Sequence, residues 1–178
     1  LTEISAKKTL SYKEVSNALK LSLPPGIATH AELQGESAVQ KFKDEKNKKN
    51  SRQGKAGIIF PPSMTEKFLR NFGYSKLMVT SSAPVFLAAV IEYIAYEILE
   101  AASELSTCNK RVRITIRDLE LSIREDRELD DLFVKNGITF IGGGVRPYIH
   151  PSLISKNKKR HRKKSSNKGE ARKHRFRP

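Results

Sequence analysis

The stretch APVFLAAVIEYIAYEILEAAS at residues 83–103 decides the fold that the sequence predicts. At about 100° per residue its apolar side chains fill one arc of roughly 180°. The opposite arc holds the charges, Glu92, Glu97, Glu100 and Glu104. With Pro84, the candidate N-caps Ser81 and Ser82, and Asn109 as boundaries, we expect a helix of about 26 residues, roughly 39 Å long. A helix of this length needs a partner surface along its whole apolar arc.

Composition limits the class of protein. The chain has 178 residues, 38% of them hydrophobic and none of them Trp, which favours one modest domain with basic appendages. Residues 155–178 hold twelve Lys or Arg and one Glu, so this tail carries +11 of the formal net charge of +15. Its expected partner is a polyanion, nucleic acid before membrane, because Phe176 is its one bulky apolar side chain. The single cysteine, Cys108, excludes an intramolecular disulfide and is expected to be buried at a helix end.

Shorter helices are predicted on both sides of the long one. Ser11 and Glu14 have capping-box spacing before a short helix that Pro24 and Pro25 stop, and a longer helix is expected over residues 27–46. Residues 46–55 read as a basic linker. The remaining expected elements are a helix capped by Ser63 and running to about Phe72, a loop over 73–82, a short helix from Thr115 to Arg124 and a turn from Asp126 to Phe133.

The segment IGGGVRPYI at residues 141–149 has no helical period. Its glycines resemble a phosphate-binding loop, but no Lys-Ser or Lys-Thr follows and no helix is predicted to begin there. We therefore expect an irregular strap that lies on another part of the fold.

The order short helix, long helix, short helix resembles the histone fold, and the sequence blocks resemble core histone 2A. These blocks are AGIIFP at 56–61, APVFLAAVIEYIAYEILE at 83–100, NKRVRI at 109–114, LELSIREDRELDDLF at 119–133 and GGVRPYI at 143–149. Residues 1–45 resemble the C-terminal half of core histone 2B. The resemblance therefore implies an all-α histone fold that pairs with a partner in a handshake of two long helices.

A 2B-like part followed by a 2A-like part resembles the fused histone doublets of certain large DNA viruses. The expected organisation is a 2B-like part over 1–45, a basic linker over 46–55, a 2A-like histone fold over 56–133, a docking segment over 134–154 and a disordered basic tail over 155–178. Because the first two 2B helices are absent from this sequence, the fragment is expected to belong to a longer or cleaved polypeptide. The alternative is a free-standing, divergent eukaryotic histone 2A with an N-terminal extension.

The resemblance implies double-stranded DNA as the main partner, bound without base recognition. The positions that match DNA contacts are Lys7, Lys8 and Thr9 in the second 2B loop, Lys76 in the first 2A loop, Lys67 and Arg70 on the first 2A helix, Lys110, Arg111 and Arg113 in the second 2A loop, and Lys158, Lys159 and Arg160 in the tail. We expect the loops of the two parts to meet at one DNA-binding edge. Met64, in place of a usual arginine, predicts looser DNA wrapping.

Protein partners are implied as well. The apolar positions expected to contact a missing 2B long helix are Leu87, Val90, Ile91, Ile94 and Ile98. An acidic patch for basic peptides is expected at Glu92, Glu97, Glu100, Asp126 and Glu128, reshaped by Arg127, Gly26 and Gln34. Docking on histone 3 and histone 4 type partners is expected through Gly143, Gly144, Val145, Pro147 and Ile149.

No catalytic constellation is found in the sequence, since the four histidines are scattered and no carboxylate pair is isolated among apolar residues. We therefore expect no enzyme activity, no metal and no cofactor. A ribosomal or RNA-binding protein would explain the tail, but it would not explain the long helix or the acidic patch. Chromatin, in a virion, a viral factory or a host nucleus, is the expected location.

Overall fold

A computed structural model describes residues 7–45, 50–71, 78–138 and 140–145 of the chain. The elements in these ranges are the strands β1 (Thr9–Leu10) and β2 (Met78–Val79) and the helices α1 (Tyr12–Ser22), α2 (Pro25–Asp44), α3 (Arg52–Ala56), α4 (Pro62–Asn71), α5 (Ser82–Cys108), α6 (Ile116–Glu125) and α7 (Arg127–Lys135). All of them belong to one compact unit, Leu1–Gly144, and a second unit spans Val145–Pro178. The predicted all-α class is confirmed, and the predicted order of short, long and short helices is observed in α4, α5 and α6.

Local sequence signals set the ends of the first two helices. The Glu14 carboxylate accepts a hydrogen bond from the Ser11 backbone N–H at 2.9 Å, which completes the predicted capping box of α1. Pro24 and Pro25 stop α1 and also begin α2, because proline fixes a backbone angle suited to a first helical turn, where no N–H is required. One proline pair thus separates two helices without a loop between them.

The long helix α5 extends over 27 residues, with Asn109 at its C-terminal cap, in agreement with the sequence prediction. Its first half is buried against α1, α2 and α4. Phe86, fully buried, lies at the centre of this first core. A β-carbon at Gly35 would lie 2.5 Å from the Phe86 ring, so the glycine allows α2 to approach α5 closely.

A second, smaller core lies further along α5. Ile27, Ile123 and Leu129 form its buried centre, and Ile94, Ile98, Phe133 and Phe140 pack around it. This cluster joins the beginning of α2 to α6 and α7. Among the described residues, no helix combines the length and apolar character needed to span a membrane.

Several local expectations are wrong. Residues 52–56 form the helix α3 rather than part of a linker, because the Ser51 hydroxyl accepts a hydrogen bond from the Gly54 N–H and Gly57 ends the helix with a positive φ of 65°. The helix α4 begins at Pro62, so Ser63 is inside it. The expected turn after Asp126 is the helix α7, and Cys108 is exposed.

Candidate nucleic-acid interface and acidic patch

The first predicted loop contact is formed by two strands that pair in parallel, Thr9 opposite Met78 and Leu10 opposite Val79. The Met78 N–H donates to the Lys8 carbonyl, and the Thr80 N–H donates to the Leu10 carbonyl, both at 3.0 Å. The expected meeting of the N-terminal loop with the segment around Lys76 is therefore observed for Met78 and Val79, while Lys76 itself is outside the described residues. The pair lies directly before α5.

The basic side chains of this end differ in their surroundings. The Lys7 ammonium contacts the Glu14 carboxylate at 2.6 Å, and together with the Ser11 hydroxyl it lowers the pKa of Glu14 to about 2. Lys8 and Thr9 are exposed beside it. Lys7 is thus partly neutralised by its own chain, whereas no ion pair is described for Lys8.

The predicted DNA-binding residues Lys67 and Arg70 lie on α4. Lys67 is exposed, and Arg70 donates two hydrogen bonds to Glu66, at 2.9 and 3.3 Å. Arg52 of α3 donates to the other oxygen of Glu66 at 2.7 Å. Sequence reasoning misses Arg52, because residues 46–55 read as a linker. The serine and glycine on either side of α3, Ser51 and Gly57, are the signals that could have revealed it.

The second basic loop follows α5, and about 40 Å of helix separates it from the first. Lys110 adopts a left-handed φ of 56°, and Arg113 is exposed. Arg111 contacts the buried carboxylate of Asp118 at 2.5 Å, and hydrogen bonds from Thr115, aided by Arg111, lower the pKa of that carboxyl. This chain therefore does not bring the two basic loops together, because they lie at opposite ends of α5. Among the described residues, only the first loop pairs with another loop, through β1 and β2. The tail residues Lys158, Lys159 and Arg160 are outside the described residues.

Three of the predicted acidic-patch residues surround one tyrosine. Burial raises the pKa of Tyr93, and a hydrogen bond with Glu97 and the charges of Glu128 and Glu100 raise it further. Because these acids all act on one phenol, they lie on a common surface formed by α5 and α7.

Glu92 and Glu128 of the predicted acidic patch accept hydrogen bonds from backbone N–H groups of the same chain. The Glu92 carboxylate accepts hydrogen bonds from the N–H groups of Ile59 and Phe60, at 2.7 and 3.1 Å, and holds the link between α3 and α4 against α5. Glu128 accepts from the Ile27 N–H at 2.9 Å, at the beginning of α2. A β-carbon at position 26 would overlap the Glu128 carboxylate. Gly26 therefore reshapes the predicted patch by making room for Glu128.

Asp126 is used locally, since its Oδ1 accepts hydrogen bonds from the N–H groups of Glu128 and Leu129 at the beginning of α7. Three of the five predicted acids are thus bonded to backbone N–H groups of their own chain. Glu97 and Glu100 are the two for which no such backbone bond is described.

The described part of the predicted docking segment contacts α6 through Gly143. Arg117 donates a hydrogen bond to the Gly143 carbonyl at 2.7 Å, and Gly143 is buried so close to Glu120 that a β-carbon would lie 2.8 Å from that side chain. Gly144 has a positive φ of 76°. Val145 is the last described residue, and Pro147 and Ile149 are outside the described range.

An apolar groove of about 430 Å³ opens between α1, α4 and α5. It is lined by four of the five residues predicted to contact a missing helix, Leu87, Val90, Ile91 and Ile94. Val90 is only 4% exposed, so its own chain already covers it, whereas Ile91 is 39% exposed. Ile98 packs instead in the second core. Within the described ranges, no group of three or more His, Cys, Asp or Glu side chains is arranged to hold a metal ion.

Comparisons with known proteins identify the family. The Histone family profile, described as the core domain of histones 2A, 2B, 3 and 4, matches residues 39–125. The histone 2A.2 of Lodderomyces elongisporus is 48% identical over 107 residues, which cover 60% of this chain and 81% of the relative. The histone 2A.1 of Tetrahymena pyriformis is 43% identical over 126 residues, which cover 70% of this chain and 92% of the relative. The chain therefore belongs to the histone family, as a structural DNA-packaging protein of the histone 2A type.

Proposed function

We propose that this histone is the 2B–2A component of a nucleosome-like particle that wraps double-stranded DNA without reading its sequence. In this proposal residues 1–45 supply the C-terminal half of a 2B-like fold, and the first two 2B-like helices come from another segment or chain. The particle would compact the genome of a large DNA virus, in the virion, a viral factory or the host nucleus. Histone 3 and histone 4 type partners, separate or fused, would complete it.

The observation that carries the proposal is the parallel pairing of Thr9–Leu10 with Met78–Val79. It joins the loop before one short helix, α1, to the loop before the long helix α5. Lys8 and Thr9 are exposed there, and Lys67 is exposed on α4. Lysine side chains on such loops neutralise phosphates without contacting base edges, which suits packaging of any sequence.

The apolar groove beside α5 supports the need for a further helix. Its lining residues Leu87, Ile91 and Ile94 are only partly covered by the chain's own helices, although they belong to the apolar arc of α5. Covering them would remove apolar surface from water, which drives association. A 2B-type long helix is the occupant that we propose, because the residues beside the groove are those of α1, the 2B-like third helix.

The acidic surface is proposed to bind basic peptides weakly. Glu97 and Glu100 remain available beside Tyr93, whereas Glu92, Asp126 and Glu128 already accept backbone hydrogen bonds. An arginine needs carboxylate oxygens with free lone pairs for a bidentate contact. We therefore expect this histone to bind an arginine-anchor peptide less tightly than a eukaryotic particle does.

Binding of a 2B-type long helix in the groove beside α5 can be tested with a labelled peptide that carries the first two helices of a histone 2B. Ile91→Glu introduces a charge in the groove and is expected to weaken binding of that peptide to the full chain by about a hundredfold, because an unpaired carboxylate would be buried. Leu99→Glu is the control, since Leu99 is 52% exposed and does not line this groove. Equal affinities of the Ile91→Glu and parent chains would contradict the proposal.

The packaging function is tested by assembling the chain with that peptide, histone 3 and 4 type partners and duplex DNA, followed by nuclease digestion. A discrete protected DNA length is expected. Digestion that leaves no protected fragment would contradict the nucleosome-like particle.

The second candidate is a free-standing, divergent histone 2A with an N-terminal extension. The two relatives are both named as 2A histones, which favours this candidate. The coding sequence upstream of Leu1 distinguishes the two. Two further 2B-like helices encoded there would support the fused doublet, and their absence would support the divergent 2A.

A further inference from the structure

One carboxylate, that of Glu66, holds two arginines on the α3–α4 side of the fold. Arg52 Nη1 is 2.7 Å from Glu66 Oε2, and Arg70 Nη2 is 2.9 Å from Glu66 Oε1. The Arg70 contact has i,i+4 spacing with the acid on the N-terminal side, which is the favourable order on a helix. The Arg52 contact joins α3 to α4 across 14 residues of chain.

Exposure shows that the arginines remain accessible while the acid is largely covered. The side chains of Arg52 and Arg70 are 41% and 47% exposed, and that of Glu66 is 23% exposed. Each guanidinium has five N–H donors and uses one or two of them on Glu66. A phosphate can therefore approach both arginines from the solvent side, but it meets a cluster of net charge +1 rather than +2.

Glu66 differs from Glu14 and Asp118, the acids that contact the predicted DNA-binding residues Lys7 and Arg111. Glu14 and Asp118 also accept hydrogen bonds from the backbone of helix-capping residues, Ser11 and Thr115, so they are required for local folding. The hydrogen bonds described for Glu66 come from the two arginines alone. These arginines also lower the pKa of Glu66, Arg52 more than Arg70, so the carboxylate stays charged at neutral pH.

We propose that Glu66 limits the DNA affinity of this histone by competing with phosphate for Arg52 and Arg70. The inference depends on the proposed DNA-packaging function and identifies a residue that sets its strength. A carboxylate and a phosphate each offer a pair of oxygens to the same guanidinium donors, so the arginines cannot satisfy both fully. Glu66 also positions the two guanidinium groups within reach of one another.

The experiment measures binding of the full chain to a short DNA duplex by fluorescence anisotropy over a range of salt concentrations. Glu66→Gln keeps the size of the side chain and removes its charge. We expect about three- to tenfold tighter binding at 0.1 M salt and a log–log salt slope steeper by about one unit, because each additional neutralised phosphate contributes nearly one unit. The matched control is Glu36→Gln, which removes the same charge from an exposed position of α2.

A second pair of variants separates competition from a general charge effect. In a chain with Arg52→Ala and Arg70→Ala, Glu66→Gln is expected to change affinity no more than Glu36→Gln does, about twofold or less. Circular dichroism checks that each variant keeps the parent helix content. The proposed role of Glu66 would be overturned if Glu66→Gln changed DNA affinity no more than Glu36→Gln does. It would also be overturned if Glu66→Gln still increased affinity in the chain that lacks both arginines. Neither outcome would contradict the proposed DNA-packaging function. A parent chain that binds no DNA at any salt concentration would overturn both proposals.

Discussion

The two halves of α5 have the same amphipathic pattern but different surroundings. Ala83, Val85, Phe86 and Ala88 in the first half are completely buried by the chain's own helices. In the second half Tyr96 is 60% exposed and Leu99 is 52% exposed, although Ala102 is buried. The strand pair of β1 and β2 lies directly before the first half. The loop that contains Lys110, Arg111 and Arg113 follows the second half. The difference shows that this chain's own helices supply a core for the first half of α5 and leave apolar side chains of the second half exposed.

The largest expected effect is on the buried half. Phe86→Ala should lower the free energy of unfolding by about 3–5 kcal/mol, because it removes a fully buried aromatic ring from the first core. Leu99→Ala should lower it by less than about 1 kcal/mol, because that side chain is half exposed. Urea denaturation of the full chain measures both. Equal losses of unfolding free energy in the two variants would contradict the difference in burial between the two halves of α5.

A smaller effect on stability is expected at Glu14, which bonds both to Lys7 and to the capping residue Ser11. Glu14 has a folded pKa of about 2 against an ordinary value of 4.5, so its charged form stabilises the fold above about pH 4.5. This contribution is lost as pH falls from about 4.5 through 2, because the carboxylate becomes protonated in the folded state too. Glu14→Gln should therefore be less stable than the parent at pH 7, and the gap should close in acid.

Urea denaturation at a series of pH values measures this gap. Glu104→Gln, at an exposed position of α5, is the matched control and should show little gap at any pH. A Glu14→Gln gap that widens in acid would contradict the assigned sign.

The smallest effect on stability is expected at the exposed basic residues of the two ends. Lys8→Ala and Arg113→Ala should each change the free energy of unfolding by less than about 0.5 kcal/mol, because both side chains are exposed. In the DNA-bound particle each should reduce the salt slope by about one unit. Salt titration of the assembled particle measures this reduction. An unchanged slope for Arg113→Ala alone would contradict a DNA contact of Arg113 in the loop that follows α5.

Periodicity and capping signals predict much of the fold. The apolar arc and the flanking Ser81 and Asn109 predict α5 nearly to the residue, and Ser11 with Glu14 predicts the start of α1. The helix α3 escapes prediction because five residues are too short to display a helical period, and α7 reads as a turn for a similar reason. Cys108 is predicted to be buried, but the last turn of α5 exposes it.

The candidate site is less predictable than the fold, because its decisive contacts join residues far apart in the chain. Glu128 bonds to Ile27 across 101 residues, and Glu92 bonds to Ile59 across 33. Local spacing does not reveal such contacts, so the sequence indicates five acids on one surface without showing which are already used. The same limit hides the contact between Glu66 and Arg52.

The strand pair Thr9–Leu10 with Met78–Val79 has a consequence for assembly. Its two strands belong to one polypeptide, although in the proposed organisation they join a 2B-like part to a 2A-like part. The association is therefore intramolecular, so its equilibrium does not depend on how dilute the protein is. Two separate chains that form the same contact dissociate on dilution. A covalently joined histone of this kind keeps a fixed one-to-one ratio of its parts from the moment of synthesis.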